Sequence, residues 1–319
     1  ADLVIELPVP FSHNTAQKFA MGAIGTLGAC GIIDTLAFGS ESADTLGIEN
    51  AAKILADEPT NVSEAIKKLM SDGISYPVAR QKAYEGYFDT SLLNTPNDIL
   101  ATEYMRACHV LGCDFKPLAI KRKGAKHDSS NTTDSIASAT EIRRRVLSNG
   151  KITDFMPQAD FNVYDHRILD IAVISHLRLS KPEYLSSINE VGEGLENRFI
   201  SAAGCTDTVD DLCMAVKSKR YTLSRIRRIA YSSLIGLTKE IADLPPSYIR
   251  ILASNENGRK LLKAMKKTAT LPIITKPADY CGDAVFDINS RAEDIFALCS
   301  RDKRERCAGT DLRMTPIIK

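Results

Sequence analysis

Nowhere does this chain carry an apolar run near the roughly 20 residues that span a bilayer, and no signal-peptide pattern opens it. A membrane partner is not expected, and a cytoplasmic setting is. Nor is either sign of charge in excess: 41 Lys and Arg face 40 Asp and Glu, a net charge of +1. No overall field draws the chain to nucleic acid, so any RNA affinity must come from a local basic patch. A disulfide framework is missing too, because the eight cysteines stand scattered at 30, 108, 113, 205, 213, 281, 299 and 307, as suits reduced thiols. Cys108, His109 and Cys113 lie close together, but a zinc site wants four ligands and no second cluster has matching spacing, so no metal site is expected. Repeats and low-complexity segments are absent. What is present is 44% hydrophobic and 25% charged sequence over 319 residues, enough for two domains with cores of their own.

The first half alternates strand and helix signals. Leu3 to Leu7 is a short apolar strand closed by Pro8 and Pro10, and Asn14 to Cys30 reads as a helix with small residues on its packed face. Ile32 to Phe38 reads as the next strand, ending in Gly39-Ser40-Glu41, where missing side-chain bulk at Gly39 would let backbone approach a ligand; an ordinary strand-end turn would look the same. Helices are expected at Glu49 to Asp57, Val62 to Asp72 and Tyr76 to Tyr87. Asn97-Asp98 opens a strong amphipathic helix, with Asn97 read as its cap. Phe115 to Arg122 is a strand ending in Lys121 and Arg122, followed by a polar loop from Lys123 to Ser135. This order implies right-handed βαβ crossovers and a parallel sheet over about the first 150 residues.

The stretch from Ile136 to Gly150 (Ile-Ala-Ser-Ala-Thr-Glu-Ile-Arg-Arg-Arg-Val-Leu-Ser-Asn-Gly) is the most informative. Ser138 and Glu141 stand three apart in the spacing of a capping box, and Asn149-Gly150 supplies a left-handed stop. Ser138, Thr140 and Arg143 thus gather at a helix N-terminus, where free N–H groups and the dipole favour phosphate. Capping boxes also open helices that bind nothing. The strand and loop ahead of this one, however, put Lys121, Arg122 and Arg143 at the carboxyl ends of a parallel sheet, where α/β proteins bind ligands.

Beyond Ile152 the pattern becomes helical. Asp160 to Leu179 reads as one long helix, with further helices at Tyr184 to Ile188, Leu195 to Ala203 and Thr208 to Lys217. Lys217 to Leu237 joins an apolar stripe (Leu223, Ile226, Ala230, Leu234, Leu237) to Lys217, Lys219, Arg220, Arg225 and Arg228, with Arg225 and Arg228 expected toward solvent. That basic set suits a solvated face or phosphate contacts of an RNA, and Tyr221 suits base stacking or packing. Tyr248 to Ala253 and Leu271 to Thr275 read as strands. Glu256 to Lys267 reads as a lysine-rich helix, a second candidate RNA surface, and Arg291 to Cys299 as a closing helix.

Ile136-Ala137-Ser138-Ala139-Thr140-Glu141-Ile142-Arg143 resembles the Ile-Ser-Ser-Thr-x-Ile-Arg signature of HxGH nucleotidyltransferases, with Ala137 in place of the first serine. Ala1 to Pro8, Phe38 to Glu41, Pro96 to Leu100, Lys121 to Ala125 and Lys219 to Gly236 narrow the likeness to the bacterial tRNA(Met) cytidine acetate ligase family, from Ala1 to Pro316. The resemblance implies an α/β fold: a Rossmann-like parallel-sheet nucleotidyltransferase domain over residues 1–153, then a mainly α-helical tRNA-binding domain over 154–319. It implies an enzyme that forms acetyl-adenylate from acetate and ATP, with Mg2+, and acetylates N4 of the wobble cytidine of elongator tRNA(Met). By this likeness Gly39 and Asn97 border the nucleoside, and Arg122, Ser138, Thr140 and Arg143 hold phosphates. The RNA partners are then Lys217, Lys219, Arg220, Arg225 and Arg228.

Family members carry a strand and an HxGH loop ahead of the segment with which this chain starts, so the chain is expected to lack that N-terminal piece. Ser12-His13-Asn14-Thr15 has no Gly-His half, and no catalytic residue is assigned. Two other readings fit the same signature. One is an adenylyl- or cytidylyltransferase acting on a small substrate; the other is a non-catalytic RNA-binding protein on a degenerate nucleotidyltransferase scaffold. Nothing in the pattern fixes an oligomeric state.

Overall fold

The computed structural model describes residues 1–122, 137–155, 161–192 and 194–319; the Lys123 to Ser135 loop, with Lys123-Gly124-Ala125 of the family likeness, lies outside them, as does Asp160. The expected parallel pair is β2 (Thr35–Ser40) with β3 (Lys116–Lys121), in register from Thr35 opposite Lys116 to Ser40 opposite Lys121. Leu36, Phe38 and Ser40 are buried while the residues between them are exposed, the period-two pattern of a strand with one face in a core. Between these strands run α3 (Thr45–Ala56), α4 (Thr60–Ser71), α5 (Tyr76–Ala83) and α6 (Pro96–Leu111), with α2 (Ala16–Ala29) ahead of them. Ala20, Ile24, Phe38, Ile48 and Met105 close one core across α2, β2, α3 and α6. The β2 strand begins three residues later than expected, because Ile32 and Ile33 pack into a neighbouring core with Ile249 and Ile251.

The strand expected at Leu3 to Leu7 forms as β1 (Leu3–Ile5), but not in the parallel sheet. It runs antiparallel to β4 (Ile249–Ser254), which also takes β5 (Ile273–Ile274) and β6 (Ile317–Ile318) in parallel. The cause is burial: Ile249 and Ile251 are almost fully covered, and a buried strand must find backbone partners. Gly258, in α14 (Glu256–Thr268), lets that helix reach β1, since a Cβ there would lie 2.0 Å from the Asp2 carbonyl oxygen.

A buried ionic network ties β1 and β4 to α16 (Thr310–Arg313). The Arg250 guanidinium, 3% exposed, lies 3.1 Å from Glu6 and 2.6 Å from Asp311, and the Tyr248 hydroxyl donates to Glu6 at 3.1 Å. Burial pushes the Glu6 carboxyl up to about 7 against the pull of Arg250. Removing one member of such a network costs about 3–5 kcal/mol, because a charge is left buried without its partner.

After α7 (Ala139–Leu147), the helical part runs through α8 (Asp170–Leu179), α9 (Pro182–Ser187), α10 (Leu195–Cys205), α11 (Val209–Val216), α12 (Leu223–Ile235) and α13 (Lys239–Ala242). Val173, Leu177, Leu195, Leu212 and Ile226 form its core. The single long helix expected up to Leu179 is shortened to α8. Tyr164 bridges to Ser300, and the Asp165 side chain caps a tight 3-10 turn over His166–Leu169 by accepting from the Arg167 N–H. The closing helix is longer than expected: α15 (Ala284–Ala297) starts where the Asp283 carboxylate accepts from the N–H groups of Val285 and Phe286. A short α1 (Val9–Ser12) links β1 to α2.

Candidate functional site

At the carboxyl ends of β2 and β3, Gly39, Asn97 and Arg122 come together. Asn97 is not the cap of α6; that position is Thr95, with Pro96 as the first helical residue. Proline suits that place because it fixes φ and its missing N–H is not needed there. Asn97 therefore sits in the first turn, where its side-chain amide donates to Glu41 at 2.5 Å and its carbonyl oxygen accepts from Arg122 at 3.4 Å. Glu41 also accepts the Asp98 N–H at 3.1 Å. Asp98, 3% exposed, accepts from the Ser40 hydroxyl, the Glu41 and Ser42 N–H groups and the Thr95 hydroxyl. The strand-end turn and the helix start are thereby laced into one unit. Gly39 is exposed beside it, and a Cβ there would meet the Arg122 side chain at an ordinary 3.6 Å. The glycine keeps this edge open rather than preventing a clash.

The second group of expected phosphate ligands lies at the start of α7. Ser138 caps it, accepting the Glu141 N–H at 3.1 Å; Thr140 is exposed on its first turn and Arg143 on the next. The Glu141 carboxylate receives Arg144 at 2.8 Å and Arg145 at 2.7 Å, and these hydrogen bonds hold its acid down to about 2. Asn149 takes a left-handed φ of 57° and ends the helix as expected. The described contacts at this end run to Arg301, which donates to Asn149 Oδ1 at 2.6 Å and to the Leu147 carbonyl, and Arg145 lies 4.6 Å over the Phe155 ring. They anchor α7 at the end opposite its free N–H groups and do not tie it to Gly39, Asn97 and Arg122.

The basic helix corrects one expectation. Arg225 and Arg228 are half-buried and held by protein partners rather than fully solvated. Arg228 makes a two-pronged ion pair with Glu190, at 2.6 and 2.7 Å, and Arg225 donates to the Glu190 carbonyl at 2.7 Å while lying 4.9 Å over the Tyr221 ring. Glu190, which offers both acceptors, adopts a left-handed φ of 64°. Tyr221 is 7% exposed and packs in the helical core. Lys217, Lys219 and Arg220 are exposed ahead of α12. His13 joins the N-terminal half to this helix through Nε2, 3.1 Å from the Arg228 carbonyl, and burial lowers its pKa. Burial likewise pushes the Cys108 thiol up to about 12, within the core of the first half.

Between the two halves lies a cavity of about 600 Å³, lined by the start of α2, α5, α6 and the start of α12. Sequence reading missed Glu41, Asp98, Glu190 and Arg301. Asp98 stood three after Thr95, a capping spacing, and offered a signal. Glu190 and Arg301 reach partners 38 and 152 residues away, and no local pattern announces them. Among the described residues, no helix is long and apolar enough to cross a membrane.

The family model described as HIGH Nucleotidyl Transferase matches residues 1–311. A tRNA(Met) cytidine acetate ligase of Thermoanaerobacter sp. strain X514 is 35% identical, over 100% of this chain and 84% of that protein. One from Acetivibrio thermocellus is 32% identical over 100% of this chain and 85% of its own length. The fold is similar to the crystal structure of Thermotoga maritima TmcAL, with a TM-score of 0.90 and 29% identity over 100% of this chain and 84% of that one. The same Thermotoga protein bound with alpha-thio ATP gives a TM-score of 0.89 at the same identity and coverage.

Proposed function

The chain belongs to the tRNA(Met) cytidine acetate ligase family of HIGH nucleotidyltransferases, and from that membership we propose that it activates acetate with ATP and acetylates N4 of the wobble cytidine of elongator tRNA(Met). The observation that carries this reading is whole-chain likeness to a relative solved with an ATP analogue. The residues fit a nucleotide. Gly39 leaves an open edge beside Arg122 and Asn97 at the strand ends, and α7 presents Ser138, Thr140 and Arg143 at a helix N-terminus suited to phosphate. Mg2+ accompanies the phosphates, as it does when substrate oxygens supply most of its ligands.

Acetate is a poor acylating agent, and adenylation turns one of its oxygens into part of a good leaving group. Arg122, Arg143 and the α7 amides stabilise charge developing on the α-phosphate and the departing pyrophosphate. The cytidine amine then attacks the acyl carbon, which requires the wobble base to leave its stack. We assign activation to residues 1–153 and tRNA binding to 154–319, in the cytoplasm, with Lys217, Lys219 and Arg220 on phosphates and Arg225 and Arg228 shaping that surface. The test is acetate-dependent exchange of labelled pyrophosphate into ATP by the full-length protein without tRNA, followed by transfer of labelled acetate to elongator tRNA(Met). Exchange and transfer are the expected results. Exchange that ignores acetate overturns the reading in favour of a small-substrate nucleotidyltransferase.

A further inference from the structure

Two helices read as basic in the sequence, and the fold treats their charges in opposite ways. On α12, Arg227 pairs with Asp210 and Arg228 with Glu190, each at 2.6 Å, and Arg225 is held by the Glu190 carbonyl. On α14, Arg259, Lys260, Lys263, Lys266 and Lys267 are all exposed, and among the described residues none of them is ion-paired. The one acid of that helix is Glu256, and Asp2, beside its start, is taken by the amides of Asn255 and Asn257 at 2.8 and 3.5 Å. At about 100° per residue the five cations span roughly 120° of the helix circumference. On the other side Gly258 and Met265 are buried, and Leu262 packs on the core of Ile249 and Ile251. The cationic face is therefore held in a fixed orientation by the core beneath it.

This pattern works against the helix itself. Lys263 stands three or four residues from each of Arg259, Lys260, Lys266 and Lys267, spacings at which like charges repel. Lys266 and Lys267 suit the dipole of the last turn, whereas Arg259 and Lys260 lie near the start, where the dipole opposes a cation. A local conflict without an internal counter-charge is expected where an outside partner supplies one, and a polyanion is the partner that gains from several cations in a row. The place of α14 sets it apart from the nucleotide residues. The Thr268 hydroxyl donates to the Cys30 carbonyl at 3.0 Å and the Thr270 N–H to the Ala29 carbonyl at 2.9 Å. The carboxyl end of α14 thus docks on the segment leading into β2, at the amino end of the parallel pair. Gly39, Asn97 and Arg122 lie at the opposite end, one strand length away, about 17 Å at the rise of an extended chain.

We propose that the cationic face of α14 docks the phosphate backbone of the RNA substrate at a point remote from the reacting base. The inference rests on the tRNA reading above and deepens it, moving part of the RNA footprint to a helix anchored on the half that activates acetate. The test is the triple variant Lys260→Gln, Lys263→Gln, Lys267→Gln in the full-length protein, beside a control that removes the same charge from exposed positions of α3 and α4, Lys53→Gln, Lys67→Gln, Lys68→Gln. The Kd for an elongator tRNA(Met) transcript is measured over a range of KCl concentrations, and acetate-dependent pyrophosphate exchange is measured without tRNA. In the α14 variant the Kd is expected to rise at least tenfold, with the slope of log Kd against log salt reduced by about 2, as loss of two to three phosphate contacts requires. Exchange stays within about twofold of the parent, and the control keeps the parent's Kd within about threefold. Unchanged affinity and slope in the α14 variant overturn the inference, leaving a solvated face or one that meets another partner. An equal loss in the control overturns it as well, since overall charge would then account for the effect, and so does a parallel loss of exchange. A parent protein that binds no transcript overturns this inference together with the tRNA reading. Failure of acetate-dependent exchange in the parent overturns the catalytic reading alone, because the transcript affinities are still compared.

Discussion

Two helices, α6 and α7, carry expected nucleotide ligands near their N-termini, and they treat those ends differently. The start of α6 is filled by the protein's own carboxylates. Glu41 accepts the Asp98 N–H and the Asn97 amide, and Asp98 accepts four donors from the strand-end turn and Thr95. At α7 the acid of the first turn, Glu141, is drawn along the helix by Arg144 and Arg145, and Thr140 and Arg143 remain exposed. A helix dipole attracts an anion in both places. In α6 the anion is internal and fixes the fold; in α7 the field faces outward, beside exposed Thr140 and Arg143. On the proposed reading, a nucleotide bordered by Asn97 would meet a rigid wall, while its phosphates would meet the exposed cations and amides of α7.

The largest expected effect is on the filled helix start. Asp98→Ala orphans several buried donors, each worth about 1–3 kcal/mol when left unsatisfied, and should lower the stability measured by urea unfolding by about 3 kcal/mol. A loss below about 1 kcal/mol would break the contrast, since α6 would then not depend on its internal anion. Arg143→Ala addresses the open start. If its guanidinium makes a charge-assisted bond to phosphate, calorimetric titration should find ATP binding weakened by about 1.5–3 kcal/mol, with the urea midpoint unmoved. An unchanged ATP dissociation constant would remove α7 from the nucleotide site.

The smallest effect is a pH dependence. Glu141 has its folded-state pKa depressed to about 2 by the Arg144 and Arg145 hydrogen bonds, from an ordinary value of 4.5. Its contribution is present above the unfolded value and is lost as pH falls from about 4.5 through 2. Helix α7 should therefore keep its Glu141 contacts unchanged between pH 8 and 5, with the carboxyl titrating near 2 by carbon-detected NMR. A midpoint near 4.5 would mean that Glu141 is not held by the arginines and is available to compete with a bound anion.

Much of this arrangement was legible from local pattern. The β2 and β3 strands, the α7 capping residue Ser138, the left-handed stop at Asn149 and the buried stripe through Ile226, Ala230 and Leu237 all follow from spacing and capping chemistry within a few residues. The errors have one kind of cause. Arg225 and Arg228 occupy helix positions that periodicity leaves exposed, and they are covered because Glu190, on another segment, turns both its carbonyl and its carboxylate toward them. The helix read up to Leu179 broke because Tyr164 and Asp165 found partners in Ser300 and in the turn at Arg167.

The sequence by itself determined where strands and helices form, because hydrophobic period and caps act over one or two turns, and its motifs carried enough to place the chain in its family. Tertiary structure alone decided which elements pair. It sent β1 to β4 rather than to β2, set Arg301 on the end of α7, and brought Glu103 and Glu190 to one cavity. Those outcomes depend on satisfying buried backbone and charge across separations of tens to hundreds of residues, and partners at such distances leave no periodic trace in the chain.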